Sequence, residues 1–258
     1  MKAPLNFRDS GGDRTVDGRR VRTGMLFRSG SLDRLSKEGR RAIEAAHLRT
    51  IIDLRPDPER ARRIAEVPGA RRLAIPFNVD ALARQRLRPF IHKRNGQAGV
   101  IEAMTSVYYD MVQHSTPQVR ELFDRLDGAE YPVCINCRAG KDRTGYAVAL
   151  ILRALGVPDQ DLMRGYLATN PCILPRVRRT LRFLRLSSFG VLPTKTWESV
   201  FTAHAQYLRT ALDRIDRDFG GTTGYLDACG VPRGQRSRLE ERLLEIPPPE
   251  SSEFPNRG

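Results

Sequence analysis

Cys137 and Arg143 stand six residues apart in the run Cys134-Ile135-Asn136-Cys137-Arg138-Ala139-Gly140-Lys141-Asp142-Arg143-Thr144-Gly145. A thiolate is a nucleophile, and a guanidinium is a planar fork that pairs with two phosphate oxygens at once. Gly140 and Gly145 let the backbone turn and approach closely where a side chain would not. Such a turn aims successive N–H groups inward, so Arg138, Ala139, Gly140, Lys141, Asp142 and Arg143 are predicted to wall a nest for an oxyanion. The field that holds an oxyanion also favours a thiolate, which makes Cys137 the expected nucleophile toward phosphorus. Arg143 and the loop amides would then balance the transition-state charge. Thr144 would donate a hydroxyl hydrogen bond to the sulfur, which makes that sulfur a better leaving group. A Cys–Arg spacing alone is weak; two glycines, Lys141 and Thr144 in one turn make it specific.

Such a loop needs a strand to deliver it and a helix to receive it. Apolar, β-branched runs predict buried strands at 50–54, 73–77 and 131–135, with a weaker one at 25–28. Helical periodicity follows at 144–155, ending at Gly156, so Cys137 lies between strand and helix. There a helix N-terminus offers unpaired N–H groups beyond the carboxyl ends of the strands, where open α/β sheets bind ligands. Ser36 is predicted to cap a helix carrying Ile43 and Ala46, and Thr116-Pro117 to start another. Further helices are expected at 100–113, 159–168, 174–186, 196–217 and 234–245. The pattern is α/β, a central mostly parallel sheet flanked by helices with a helical C-terminal half. Residues 1–246 read as a single catalytic domain, and the polar, proline-rich 247–258 as a disordered tail.

The composition is that of a soluble globular chain, 40% hydrophobic and 29% charged over 258 residues. No apolar run is long enough to cross a bilayer, and the first residues have no signal-like apolar core, so the expected location is cytoplasmic. The four cysteines are too sparse for a disulfide scaffold. Cys134-x-x-Cys137 suggests zinc or redox chemistry by itself, but no second ligand pair accompanies it. Cys134 reads as a buried strand residue, and no metal or cofactor is expected. The net charge of +14 is almost entirely arginine. It suits an anionic partner without choosing one.

At these residues the chain resembles the bacterial tyrosine-phosphatase family that acts on phosphotyrosine and phosphoinositides. The loop Cys137–Gly145 matches, as do Asn6-Phe7-Arg8-Asp9-Ser10-Gly11-Gly12, Leu26-Phe27-Arg28-Ser29-Gly30, Ile52-Asp53-Leu54-Arg55, Tyr166-Leu167-Ala168-Thr169-Asn170 and Gly224-Tyr225-Leu226. The resemblance covers nearly the whole chain. It implies the cysteine-phosphatase fold, a phosphocysteine intermediate and no metal. Asp142 resembles the family's functional aspartate; Asp80, on a loop after a predicted strand, is the other candidate general acid. Two positions depart from the family. Asn136 replaces the usual His before the nucleophile, where its amide is expected to order the loop but support the thiolate less. Gly165 stands where an aspartate is usual, a change the sequence does not interpret.

The substrate is left open among a phosphotyrosine protein, a phosphoinositide and a small phosphometabolite such as a nucleotide or sugar phosphate. Lys141 would add charge at the pocket floor. Arg84, Arg86, Arg88, His92, Lys93 and Arg94 belong either to a mobile lid or to a solvated surface helix. Arg176, Arg178, Arg179, Arg182 and Arg185 alternate with apolar residues as on an amphipathic helix. An anionic membrane surface is a possible partner. Nucleic acid is not expected, since no recognisable motif for it occurs. The rival to an enzyme is a weakly active phosphate-binding module.

Overall fold

A computed structural model of the chain describes residues 6–33, 35–60, 67–188 and 191–246, and all of their side chains except those of Asp80 and Ala81. The expected tail, 247–258, lies outside the described residues. The strands are β1 Arg8–Asp9, β2 Arg20–Val21, β3 Leu26–Ser29, β4 Thr50–Asp53, β5 Arg71–Ala74, β6 Val133–Asn136 and β7 Leu244–Glu245. The helices are α1 Lys37–Ala45, α2 Asp57–Arg60, α3 Asp80–Leu87, α4 Gln97–His114, α5 Thr116–Asp127 and α6 Asp142–Ala154. They continue as α7 Asp159–Leu167, α8 Thr169–Ser187, α9 Thr194–Phe201, α10 Ala205–Phe219, α11 Thr222–Ala228 and α12 Arg233–Leu243.

Five strands form one sheet in the order β1-β3-β6-β4-β5. All pairs are parallel except β1 with β3. β6 is central, and its four residues are buried on both faces, as are those of β4. Alternation sends Phe27, Ile51 and Cys134 to one face, against Ile43 and Leu48. Leu26, Ile52, Val133 and Ile135 go to the other, against α4, α5 and α6. Residues 143–152 of α6 are all buried, so this helix runs through the interior and fixes the end of the loop that precedes it. Burial leaves the Cys134 thiol with a pKa pushed up to about 12, the inert strand residue expected. β7 pairs with β2 in a small antiparallel ribbon.

Three differences from the sequence reading have physical causes. β5 spans Arg71–Ala74 rather than 73–77, because the ladder stops short of Pro76, which has no N–H to give. Ile75 and Phe77 are fully buried past its end, and on either side of Pro76 their N–H groups still donate to Asp53 O (2.9 Å) and Leu54 O (3.2 Å). The helix expected at 196–217 is broken at residues 202–204, where tertiary bonds capture the chain. Asn170 pairs both ends of its amide with Ala203, donating to its carbonyl (2.9 Å) and accepting from its N–H (2.7 Å). The 80–99 segment is not a free lid: it begins as α3, packed on α4, and is tied to α9. Thr196 there donates to Lys93 O (2.7 Å) and accepts from Gly96 N (3.2 Å). Among the described residues no helix is long and apolar enough to cross a membrane.

Candidate active site

Cys137 is the first residue beyond the carboxyl end of β6 and is only 2% exposed. The chain then turns sharply into α6. At Gly140 φ is +68°, and a Cβ there would lie 2.6 Å from the carbonyl of Ser29, so only glycine fits. The loop carbonyls are each held from outside. Ser31 N–H donates to Arg138 O (3.0 Å). The Asn6 amide donates to Gly140 O (2.6 Å) and Ala139 O (3.3 Å), and Arg28 also donates to Gly140 O (2.8 Å). Peptides are planar and trans, so holding a carbonyl outward turns the following N–H to the opposite side. The N–H groups of Arg138, Ala139, Gly140 and Lys141 meet no backbone acceptor among the described residues. Successive N–H groups left open in this way are what an oxyanion nest requires.

Arg143 opens the first turn of α6, buried, with its guanidinium on the Glu59 carboxylate of α2 at 3.1 Å. Thr144 Oγ1 is buried with no hydrogen-bond partner among the described residues. Asp142, at the rim, accepts from Tyr108 Oη (2.9 Å), which also shares a hydrogen bond with Tyr166 Oη (2.9 Å). Burial first, then the charge of Asp142, holds both phenols protonated far above the usual tyrosine range. Tyr108 is thus a fixed neutral donor to that carboxylate.

Other expected residues are placed differently. Lys141 does not bring its charge to a pocket floor. Its ammonium is 2% exposed and donates to Val200 O (2.7 Å) and Thr202 O (3.3 Å), with Asp142 at 3.2 Å. Those three neighbours use its three protons, which leaves its backbone N–H as the donor facing no backbone acceptor among the described residues. The Arg138 side chain points to solvent. The Asn136 amide orders nothing: both its side-chain atoms are buried without a partner among the described residues. Asp80 is the first residue of α3, and its side chain lies outside the described ones.

Sequence reasoning missed the residues that hold the loop from behind. Asn6 and Arg28 lay within family-like motifs but had no role assigned. Asn6 is in the left-handed region (φ 62°), which asparagine tolerates better than most residues. Glu59 and Tyr108 were assigned no role. After β4, Arg55 is buried between Asp53 and Asp33. Burial works against that cation, but the hydrogen bonds it donates to the two carboxylates outweigh it.

Comparison with known proteins addresses the family of the chain. Residues 1–245 match the model of the tyrosine phosphatase family. The chain is 28% identical to the triple specificity protein phosphatase PtpB of Mycobacterium tuberculosis, over 93% of this chain and 96% of that one. It is 26% identical to a tyrosine-protein phosphatase of Nostoc commune, over 84% of this chain and 74% of the other. The crystal structure of Pseudomonas aeruginosa TpbA overlaps 60% of this chain and 77% of its own, at 18% identity and a TM-score of 0.31, too slight a likeness to argue from. From its loop and from the family match over nearly its full length, the chain belongs to the tyrosine phosphatase family.

Proposed function

We propose that the chain removes phosphate from phosphotyrosine in proteins through a phosphocysteine formed on Cys137. The observation that carries this is the set of loop N–H groups left without backbone acceptors beside a buried cysteine, with the Arg143 guanidinium at the same helix start. The Cys137 thiolate attacks phosphorus, the ester P–O bond breaks, and Asp142 protonates the departing oxygen. Water then attacks phosphorus, Asp142 takes its proton, and the S–P bond breaks to release inorganic phosphate. Arg143 and the loop amides hold the equatorial oxygens in both steps. Thr144, whose hydroxyl has no other partner among the described residues, donates to the leaving sulfur.

Protein phosphatase activity is supported by the name of the M. tuberculosis relative. Phosphoinositide and small phosphometabolite are the other arms of the assay. The test is phosphate release from phosphotyrosine peptides, phosphoinositides and nucleotides, with chelator present. The expected result is fastest turnover on the peptides, unchanged by chelator and lost in Cys137→Ser. Turnover that survives this substitution would overturn the mechanism. Phosphate binding with no turnover would identify a binding module instead.

A further inference from the structure

Behind the loop, between β1, α6 and α7, lies a cavity of about 70 Å³ that Cys137 does not line. Arg8, Ser10, Arg28, Gly145, Gly165 and Tyr166 form its wall. Two arginines border it, and among the described residues neither pairs with a carboxylate. Arg8 donates to Asn6, to Gly165 O (2.7 Å) and to Thr169 Oγ1 (3.3 Å), all uncharged acceptors. Arg28 is 3% exposed, yet it gives one N–H to Gly140 O and leaves its Nε buried with no acceptor among the described residues. Burial first, then the neighbouring charge of Arg8, pushes its pKa down to about 9, so the cation is poorly compensated where it stands.

Two aspartates share the wall, but both are engaged. Asp9 accepts from the N–H groups of Gly11 (2.8 Å) and Gly24 (2.5 Å), and Asp13 from Arg164 (2.6 Å). Ser10 Oγ is buried without a partner among the described residues. Gly165, on the cavity wall, has room for a side chain: a Cβ there would meet nothing within 4 Å.

We propose that this cavity is a second anion site, which takes a compact oxyanion such as inorganic phosphate between Arg8, Arg28 and the Ser10 hydroxyl. Buried cations are stable when paired, and an oxyanion supplies the missing charge and acceptors together. The volume admits an ion of that size and excludes a nucleotide. Because Arg28 also holds Gly140 O, occupancy would be felt at the catalytic turn.

Equilibrium dialysis of radiolabelled inorganic phosphate against the full chain tests this. Two phosphates per chain are expected. Carboxymethylating Cys137 blocks the loop and leaves one. Gly165→Asp places a tethered carboxylate in the cavity and removes the other, while Gly165→Ala keeps both. Ser10→Ala weakens the second site roughly tenfold, the worth of one hydrogen bond to a charged group. A single phosphate that disappears on carboxymethylation overturns the proposal, as does a second site indifferent to Gly165→Asp. Should circular dichroism show Gly165→Asp unfolded, Ser10→Ala decides, and an unchanged second affinity overturns it.

Discussion

Around the turn after β6, Arg28 and Arg143 are 3% and 4% exposed, and their guanidinium groups reach a loop carbonyl and the Glu59 carboxylate. Along the second half of α8, Arg179, Arg182 and Arg185 stand in solvent beside Phe183 and Leu186, which are themselves 70% and 80% exposed. Both regions contribute to the same net charge of +14, yet they spend it differently. A solvated guanidinium is screened beyond about 8–10 Å at ordinary salt. A buried one has lost its water and acts on whatever group replaces it. Net charge therefore says little about where the chemistry lies; burial of particular arginines says much more.

If that contrast is right, damage at the turn should be severe and damage on α8 slight. Asp142→Asn should lower kcat on an alkyl phosphate by about 10²–10⁴-fold, with Asp80→Asn as the matched comparison. The reverse result would move the general acid to α3. Arg143→Lys keeps the charge but loses the fork, and kcat should fall by about 10²–10³-fold with a smaller change in KM. Asn6→Ala removes the donors to Ala139 O and Gly140 O. A loss of roughly 1–3 kcal/mol in denaturant unfolding is expected, with slower turnover.

Asp33 offers a smaller effect with a defined sign. Burial raises its carboxyl, but hydrogen bonds from Arg55 and Ser31 bring it below the ordinary carboxylate value. Its contribution is full above about pH 4, and is lost as pH falls through the lower folded-state value. Melting curves taken down to pH 2 should therefore be flatter for Asp33→Asn than for the parent. Smallest of all, Arg182→Ala with Arg185→Ala should stay within about 0.5 kcal/mol in stability. A cost matching that of Asn6→Ala would erase the distinction between the two regions.

The turn after β6 and its supporting strand and helix were legible because their signals are local. Cys137, Gly140 and Arg143 sit within seven consecutive residues, and β6 and α6 flank them with strong apolar patterns. What could not be read depends on partners distant in the chain. Asn6 reaches Gly140 across 134 positions, and Tyr108 reaches Asp142 across 34. The break between α9 and α10 was hidden for the same reason, since it is Asn170 that holds Ala203 there. Lys141 shows the converse limit. Its place in the turn was right, but the direction of its side chain is set by carbonyls on α9 and the segment after it.

That lysine belongs to two parts of the molecule at once. Its amide is in the turn around Cys137, while its ammonium caps the last carbonyls of α9, where the helix dipole favours a cation. Drawing α9 outward would strand a buried charge, at a cost of roughly several kcal/mol. The α8–α9 hairpin and the catalytic turn are therefore geared together, one residue serving as the tooth they share. Displacing that hairpin would therefore disturb the turn around Cys137 through Lys141.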